Sequence, residues 1–175
     1  MNYFDFNFRP FYLRDLDRVG KFLLNQPLDY PHYSDWVLKT LGELEEGYKQ
    51  AVLALSDSVL VGNVIYQPHK TLPGFCELKN ARVHLSLQRR FFLGFMIKQI
   101  EIFSQEKGDR AVICDVRSSR KELISLLSHL GFIPLVKVPL YDEVKEDLVL
   151  VKPLRAFDEQ NFLSRVRGKI LESAF

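Results

Sequence analysis

Val83-His-Leu-Ser-Leu-Gln-Arg-Arg-Phe-Phe-Leu-Gly-Phe-Met-Ile-Lys-Gln-Ile-Glu101 is the stretch whose reading decides the fold. Its first residues close a strand, Gln88-Arg-Arg is a short basic loop, and apolar residues then recur with helical spacing at Phe92, Met96, Ile100 and Phe103. A strand that enters a helix through a basic turn can seat an anion. The first N–H groups of a helix have no partner within it and lie at the positive end of its dipole. Arg89 and Arg90 add charge at that end.

Around this stretch the composition is that of an ordinary globular protein. The 175 residues fit one domain, with 47% apolar and 26% charged residues. A net charge of +2 is too small to argue for nucleic acid as the main partner, so any basic site must be local. Cys76 and Cys114 sit in apolar, strand-like segments without metal-ligand spacing and read as reduced core residues. The first residues lack a basic start followed by an apolar stretch, and no run approaches the roughly 18 apolar residues of a membrane helix. A cytoplasmic protein without a membrane partner is expected.

Alternation from Phe4 to Leu13 predicts a strand, at an edge because of Pro10, and Asp15 is expected to cap a helix carrying Leu16, Val19, Phe22 and Leu23. After a loop containing Tyr30, His32 and Tyr33, Ser34 or Asp35 is expected to cap a second helix that Gly47 stops; the three ring residues read either as a pocket wall or as packing for the helix ends. Ala51 to Leu55 and Val59 to Gln67 read as a hairpin with a bulge at Gly62, and Phe75 to Leu85 as the strand entering the basic loop. The helix from Phe92 to Lys107 is followed by Ala111 to Val116, apolar enough for a central strand. Ser118 or Ser119 is expected to cap the next helix, which stops at Gly131, and Phe132 to Val138 and Leu148 to Lys152 close the sheet. Asp158 is expected to cap a tail helix whose stripe of Phe162, Leu163, Val166, Ile170 and Leu171 packs on the domain or forms a homodimer.

This order of elements resembles the GCN5-related N-acetyltransferase (GNAT) superfamily over residues 6–153, with 154–175 as a C-terminal helical extension. Three passages carry the resemblance: Phe8-Arg-Pro through Val19, Val83-His through Glu101, and Leu130-Gly-Phe. It implies an α/β (α+β) fold, a mixed, mostly antiparallel central sheet flanked by helices. It also implies an acyltransferase that moves an acetyl group from acetyl-CoA to the amine of an unidentified acceptor, by direct attack. By the same resemblance Val83, His84, Leu85, Gln88, Arg89, Arg90, Phe91, Phe92, Leu93 and Gly94 would hold acetyl-CoA. A backbone N–H near Val83 to Leu85 would face the oxyanion, and Glu77 would be the base, with His84 a second titratable group at the strand end.

The chain departs from the family at instructive places. The family's loop runs Gln or Arg, two variable residues, Gly, one variable residue, then Gly or Ala. With Gln88 first, Phe91 and Leu93 occupy the small positions; with Arg89 first, Phe92 and Gly94 do. Leu127 stands where the family often has a Tyr acid, and the place of a frequent Asn falls near Arg120. Tyr141 and His129 are the candidates for a substitute acid. The alternative to an enzyme is a catalytically inactive domain of the same fold that binds a ligand or a protein. A weaker third reading is a nucleic-acid adaptor using Arg82, Arg89, Arg90, Arg117 and Arg120.

Overall fold

The computed structural model describes residues 5–141, 143–155 and 159–174. Its elements are β1 (Phe6–Pro10), α1 (Leu16–Asn25), α2 (Tyr33–Glu45), β2 (Gln50–Ser56), β3 (Val59–Pro68) and β4 (Phe75–Val83), then α3 (Phe92–Lys107) and β5 (Ala111–Arg117). They are followed by α4 (Lys121–His129), β6 (Ile133–Val138), β7 (Asp147–Pro153) and α5 (Glu159–Ala174). The strands lie in the order β1-β2-β3-β4-β5-β7-β6. The β1–β2, β2–β3, β5–β7 and β6–β7 pairs are antiparallel and β4–β5 is parallel, so the sheet is mixed and mostly antiparallel, as the order of elements implies. The chain forms two compact units: residues up to Gln67 with Lys79–Ile102, and Pro68–Leu78 with residues from Phe103 onward.

In the first unit, α1 and α2 cover one face of β2 and β3. Val19, Phe22 and Leu23 of α1 meet Val37 and Leu44 of α2 over Leu53, Leu55 and Ile65. The register runs Leu53 opposite Asn63 and Ala54 opposite Gly62, then Leu55 opposite Leu60, stepping past Val61. The expected bulge therefore sits beside Gly62. A side chain at Gly62 would place its Cβ 3.0 Å from the Arg82 carbonyl oxygen and 3.3 Å from Met96 Cε, so the close approach of β4 favours glycine there.

In the second unit, β5 is flanked by β4 and β7 and is nearly all buried, as its apolar run predicts. The tail-helix stripe is covered by this chain: Phe162, Val166 and Ile170 join Phe75, Ile113, Leu135 and Val151 in one core. The Phe162 ring stacks on Phe75 at 5.5 Å, and Arg167 Nε donates to the Leu135 carbonyl at 3.0 Å.

The helix caps expected from the sequence are corrected, because the Asp15 side chain is engaged elsewhere and α2 and α4 begin at other residues. Asp15 makes no cap bond to α1. Its buried carboxylate takes two bonds from Arg9, at 2.7 and 2.8 Å, and one from the Tyr12 N–H at 2.9 Å, closing a single 3-10 turn at Leu13–Asp15. Neither Ser34 nor Asp35 caps α2, which begins at Tyr33 after His32 in a left-handed conformation. Arg120, not Ser118 or Ser119, stands before α4. Gly47 and Gly131 do end α2 and α4 with positive φ. Phe4 and Asp158 lie outside the described residues.

The Arg9–Asp15 pair predicts a pH-dependent loss. Arg9, foremost by its hydrogen bonds, holds the Asp15 carboxyl below its ordinary value. A lowered carboxylate stabilises the fold above its unfolded pKa of about 4. That contribution disappears as pH falls through the lowered folded value. Asp15→Asn is expected to cost about 2 kcal/mol at pH 7, since Arg9 keeps some contact with water. Urea unfolding should show the gap between wild type and variant narrowing at about pH 3; an unchanged gap would contradict the assignment.

Candidate functional site

The site is built within the first unit from the end of β4, the loop after it and the start of α3. The His84 N–H donates to the Val61 carbonyl at 2.8 Å, tying the strand end to β3. His84 Nδ1 accepts from the Ser86 N–H at 3.3 Å and lies 2.8 Å from Ser86 Oγ, capping a 3-10 turn at Leu85–Leu87. Gln88 Nε2 then reaches back to donate to the Val83 carbonyl at 3.2 Å. The loop is thus folded by its own polar side chains.

Two residues bring the chain from this turn into α3 through left-handed backbone. Arg89 has φ 63° and Phe91 φ 62°, conformations that disfavour a side chain by about 1–2 kcal/mol each. Such strain persists where neighbours fix both ends of the segment. On one side stands the Gln88–Val83 bond; on the other Phe92 is buried, its ring 4.9 Å from Phe6 and 5.3 Å from Phe8. Gln99 adds a bond from Nε2 to the Phe8 carbonyl at 3.3 Å, holding α3 to β1.

The first helical bond of α3 runs from the Phe95 N–H to the Phe91 carbonyl at 3.1 Å. The amides of Phe92, Leu93 and Gly94 therefore precede the first amide with a partner inside the helix. Arg89 and Arg90 are exposed beside them, as are Leu85 and Phe91, the latter 74% exposed. The Phe91 ring is exposed, while that of Phe92 is turned into the core. All ten loop and helix residues expected from the sequence, Val83 to Gly94, lie in this contiguous segment. Within the Val83 to Leu85 stretch, the His84 N–H is already bonded to the Val61 carbonyl.

The other candidates sit in the second unit. Glu77 is half-buried on β4, opposite Ile113 of β5. Tyr141 is exposed, with the Arg117 guanidinium 5.8 Å from its ring centre. His129 ends α4, its Nδ1–H donating to the Ser125 carbonyl at 2.7 Å, which ties it to its own helix. Leu127 is buried. Both thiols are buried; burial pushes Cys76 up to about 12 and Cys114 higher still, so neither supplies a thiolate.

The arginines do not form the shared basic seat that their sequence positions suggest. Arg117 is buried and paired with Asp147, and the Arg82 guanidinium lies over the Tyr33 ring at 5.9 Å. Of the rings between α1 and α2, Tyr33 is a core residue stacked on Trp36 at 5.7 Å, whereas His32 is exposed. No helix among the described residues is long and apolar enough to cross a membrane.

No protein-family model and no curated protein matches the chain. Solved structures do. A Desulfovibrio desulfuricans protein assigned to the GNAT acetyltransferases is similar at 16% identity and TM-score 0.75, over 86% of this chain and 100% of that one. The ribosomal-protein-S18-alanine N-acetyltransferase of Escherichia coli is 15% identical, with TM-score 0.72 over 89% of this chain and 97% of its own. A Salmonella typhimurium structure with its cofactor acetyl-CoA is 12% identical, with TM-score 0.71 over 88% and 96%. The chain has the fold of the GNAT acetyltransferases.

Proposed function

We propose that the protein is an N-acetyltransferase that takes its acetyl group from acetyl-CoA and passes it to an amine. The observation that carries this reading is the left-handed turn at Phe91, immediately before α3 in a GNAT fold. It supports the register in which Gln88 opens the loop and Phe91 stands at the first small position. In the other register that position falls to Phe92, which is already inside the helix. The backbone has the conformation a glycine would give it, and the Phe91 side chain points to solvent.

The residues fit an acyl-CoA. Backbone N–H groups at the start of α3, with Arg89 and Arg90, suit its pyrophosphate. The co-substrate supplies the thioester. In this reading Glu77 takes a proton from the attacking amine, and the N–H of Val83 or Leu85 stabilises the oxyanion. The C–S bond then breaks, and Tyr141 or His129 returns a proton to the departing sulfur. No covalent enzyme intermediate is needed, in keeping with the buried, protonated thiols.

Release of free thiol from acetyl-CoA in the presence of an amine panel tests the reading. Amine-dependent turnover lost in Glu77→Gln is the expected result. A second reading, a binding module without catalysis, is favoured by the exposed apolar Leu85, Phe91 and Phe95 at the loop and by the spent His84 amide. It predicts acetyl-CoA or partner binding with no turnover.

Phe91→Gly separates backbone from side chain. Relief of the left-handed strain outweighs the added freedom of the unfolded chain, so the variant is expected to gain up to about 1 kcal/mol of stability. Acetyl-CoA should bind it severalfold more tightly. Weaker binding on calorimetry would mean that the ring itself contacts the ligand.

A further inference from the structure

In the first unit the Asn63 and Asn80 amides and the Tyr33 hydroxyl are buried without a hydrogen-bond partner, and Asn63 faces the core that holds Tyr33. Asn63 on β3 is 0% exposed, and neither its Oδ1 nor its Nδ2 has a hydrogen bond; the buried Tyr33 hydroxyl has none either. Asn63 lies opposite Leu53, so its side chain shares the face on which Leu53, Val37 and Tyr33 form the core. The bond from the His84 N–H to the Val61 carbonyl sets the adjacent strand. Two residues back along β4 and two forward along β3, Arg82 falls opposite Asn63. Its guanidinium lies over the Tyr33 ring. An amide, a phenol and a guanidinium therefore converge beneath the first turn of α2.

Buried polar groups are almost always hydrogen-bonded, because leaving them unsatisfied is costly. Two such groups beside a guanidinium point to a ligand, and their chemistry says which kind. The Tyr33 O–H, the Asn63 Nδ2–H groups and Arg82 are donors that suit a carboxylate, which only accepts. Asn63 Oδ1 is an acceptor and needs an N–H. We propose that Tyr33, Asn63 and Arg82 recognise an acceptor of amino-acid type, a molecule bearing both a carboxylate and an amine. The inference rests on the acetyl-transfer reading for the fate of the amine but not for the binding.

The test is thermal melting of the purified full chain with a panel of common L-amino acids. Each hit is compared with the amine that lacks its carboxylate, and acetyl-CoA is titrated into the same preparations. At least one amino acid is expected to raise the melting temperature in a saturable way, while its decarboxylated counterpart does not. Tyr33→Phe and Asn63→Leu each weaken that binding roughly tenfold. Without ligand, Asn63→Leu melts above wild type, since an unsatisfied amide has been replaced by an apolar group of similar size.

Several results would overturn the proposal: no stabilisation of wild type by any amino acid, equal binding of the decarboxylated amine, or undiminished binding by Asn63→Leu. Lower melting of ligand-free Asn63→Leu would do so too, assigning the amide to a structural water. Acetyl-CoA binding without amino-acid binding sinks this inference alone. Amino-acid binding without acetyl-CoA binding leaves it standing and removes the transferase reading.

Discussion

Asp147→Asn is expected to cost about 4 kcal/mol of folding stability, the largest loss from any single substitution considered. Asp147 on β7 lies directly opposite Arg117 on β5, and both side chains are almost wholly out of water. Arg117 Nη1 donates to Asp147 Oδ2 at 3.0 Å and to the Lys145 carbonyl at 3.0 Å. Neutralising the carboxylate leaves a buried cation, which is far costlier than the pair itself is favourable. The double variant Arg117→Met/Asp147→Leu removes both charges and should recover most of the loss. Urea unfolding measures both; a loss below about 1 kcal/mol for Asp147→Asn would place the pair in the weak class of exposed ion pairs.

The largest functional effect is expected from Arg89→Glu/Arg90→Glu. Both side chains are exposed, so the double reversal should change folding stability by no more than about 0.5 kcal/mol. At the start of α3 it replaces two cations by two anions where a pyrophosphate is proposed to sit, against the local dipole. Acetyl-CoA affinity should fall roughly 50-fold or more, equivalent to more than about 2 kcal/mol. Higher salt should shrink the difference, because exposed charges are screened. An unfolded variant would show in the melting curve, so loss of affinity with unchanged melting is the informative outcome.

Much of the architecture was legible because it is written in local periodicity. Apolar runs broken by a tight polar turn mark the hairpin β2–β3, an unbroken apolar run marks β5, and spacings of three and four mark α3 at its observed bounds, Phe92–Lys107. The caps were misplaced for two reasons: the bounds of α2 and α4 fall at other residues than Ser34, Asp35, Ser118 and Ser119, and the Asp15 side chain is engaged elsewhere. Asp15 has the right residue type beside a helix, but Arg9 claims its carboxylate, and no local pattern reports that. The same holds for Arg117, which looks like a loop cation until Asp147, thirty residues on, draws it inward.

The turn before α3 was legible in position and opaque in detail. Its basic character is a local feature, but the left-handed backbone at Arg89 and Phe91 has no glycine to announce it. The convergence of Tyr33, Asn63 and Arg82 joins three elements, and only the pairing of β2, β3 and β4 reveals it. The clustered rings at Tyr30, His32 and Tyr33 were the sole hint in the sequence, and they carry no information about the asparagine.

Titration of acetyl-CoA into the purified protein by calorimetry tests the central claim most directly. One-site binding of micromolar order, about −8 kcal/mol, is the predicted result. No detectable heat from a protein shown to be folded would contradict it, and would mean that the turn before α3 keeps the shape of an acyl-CoA seat without the function.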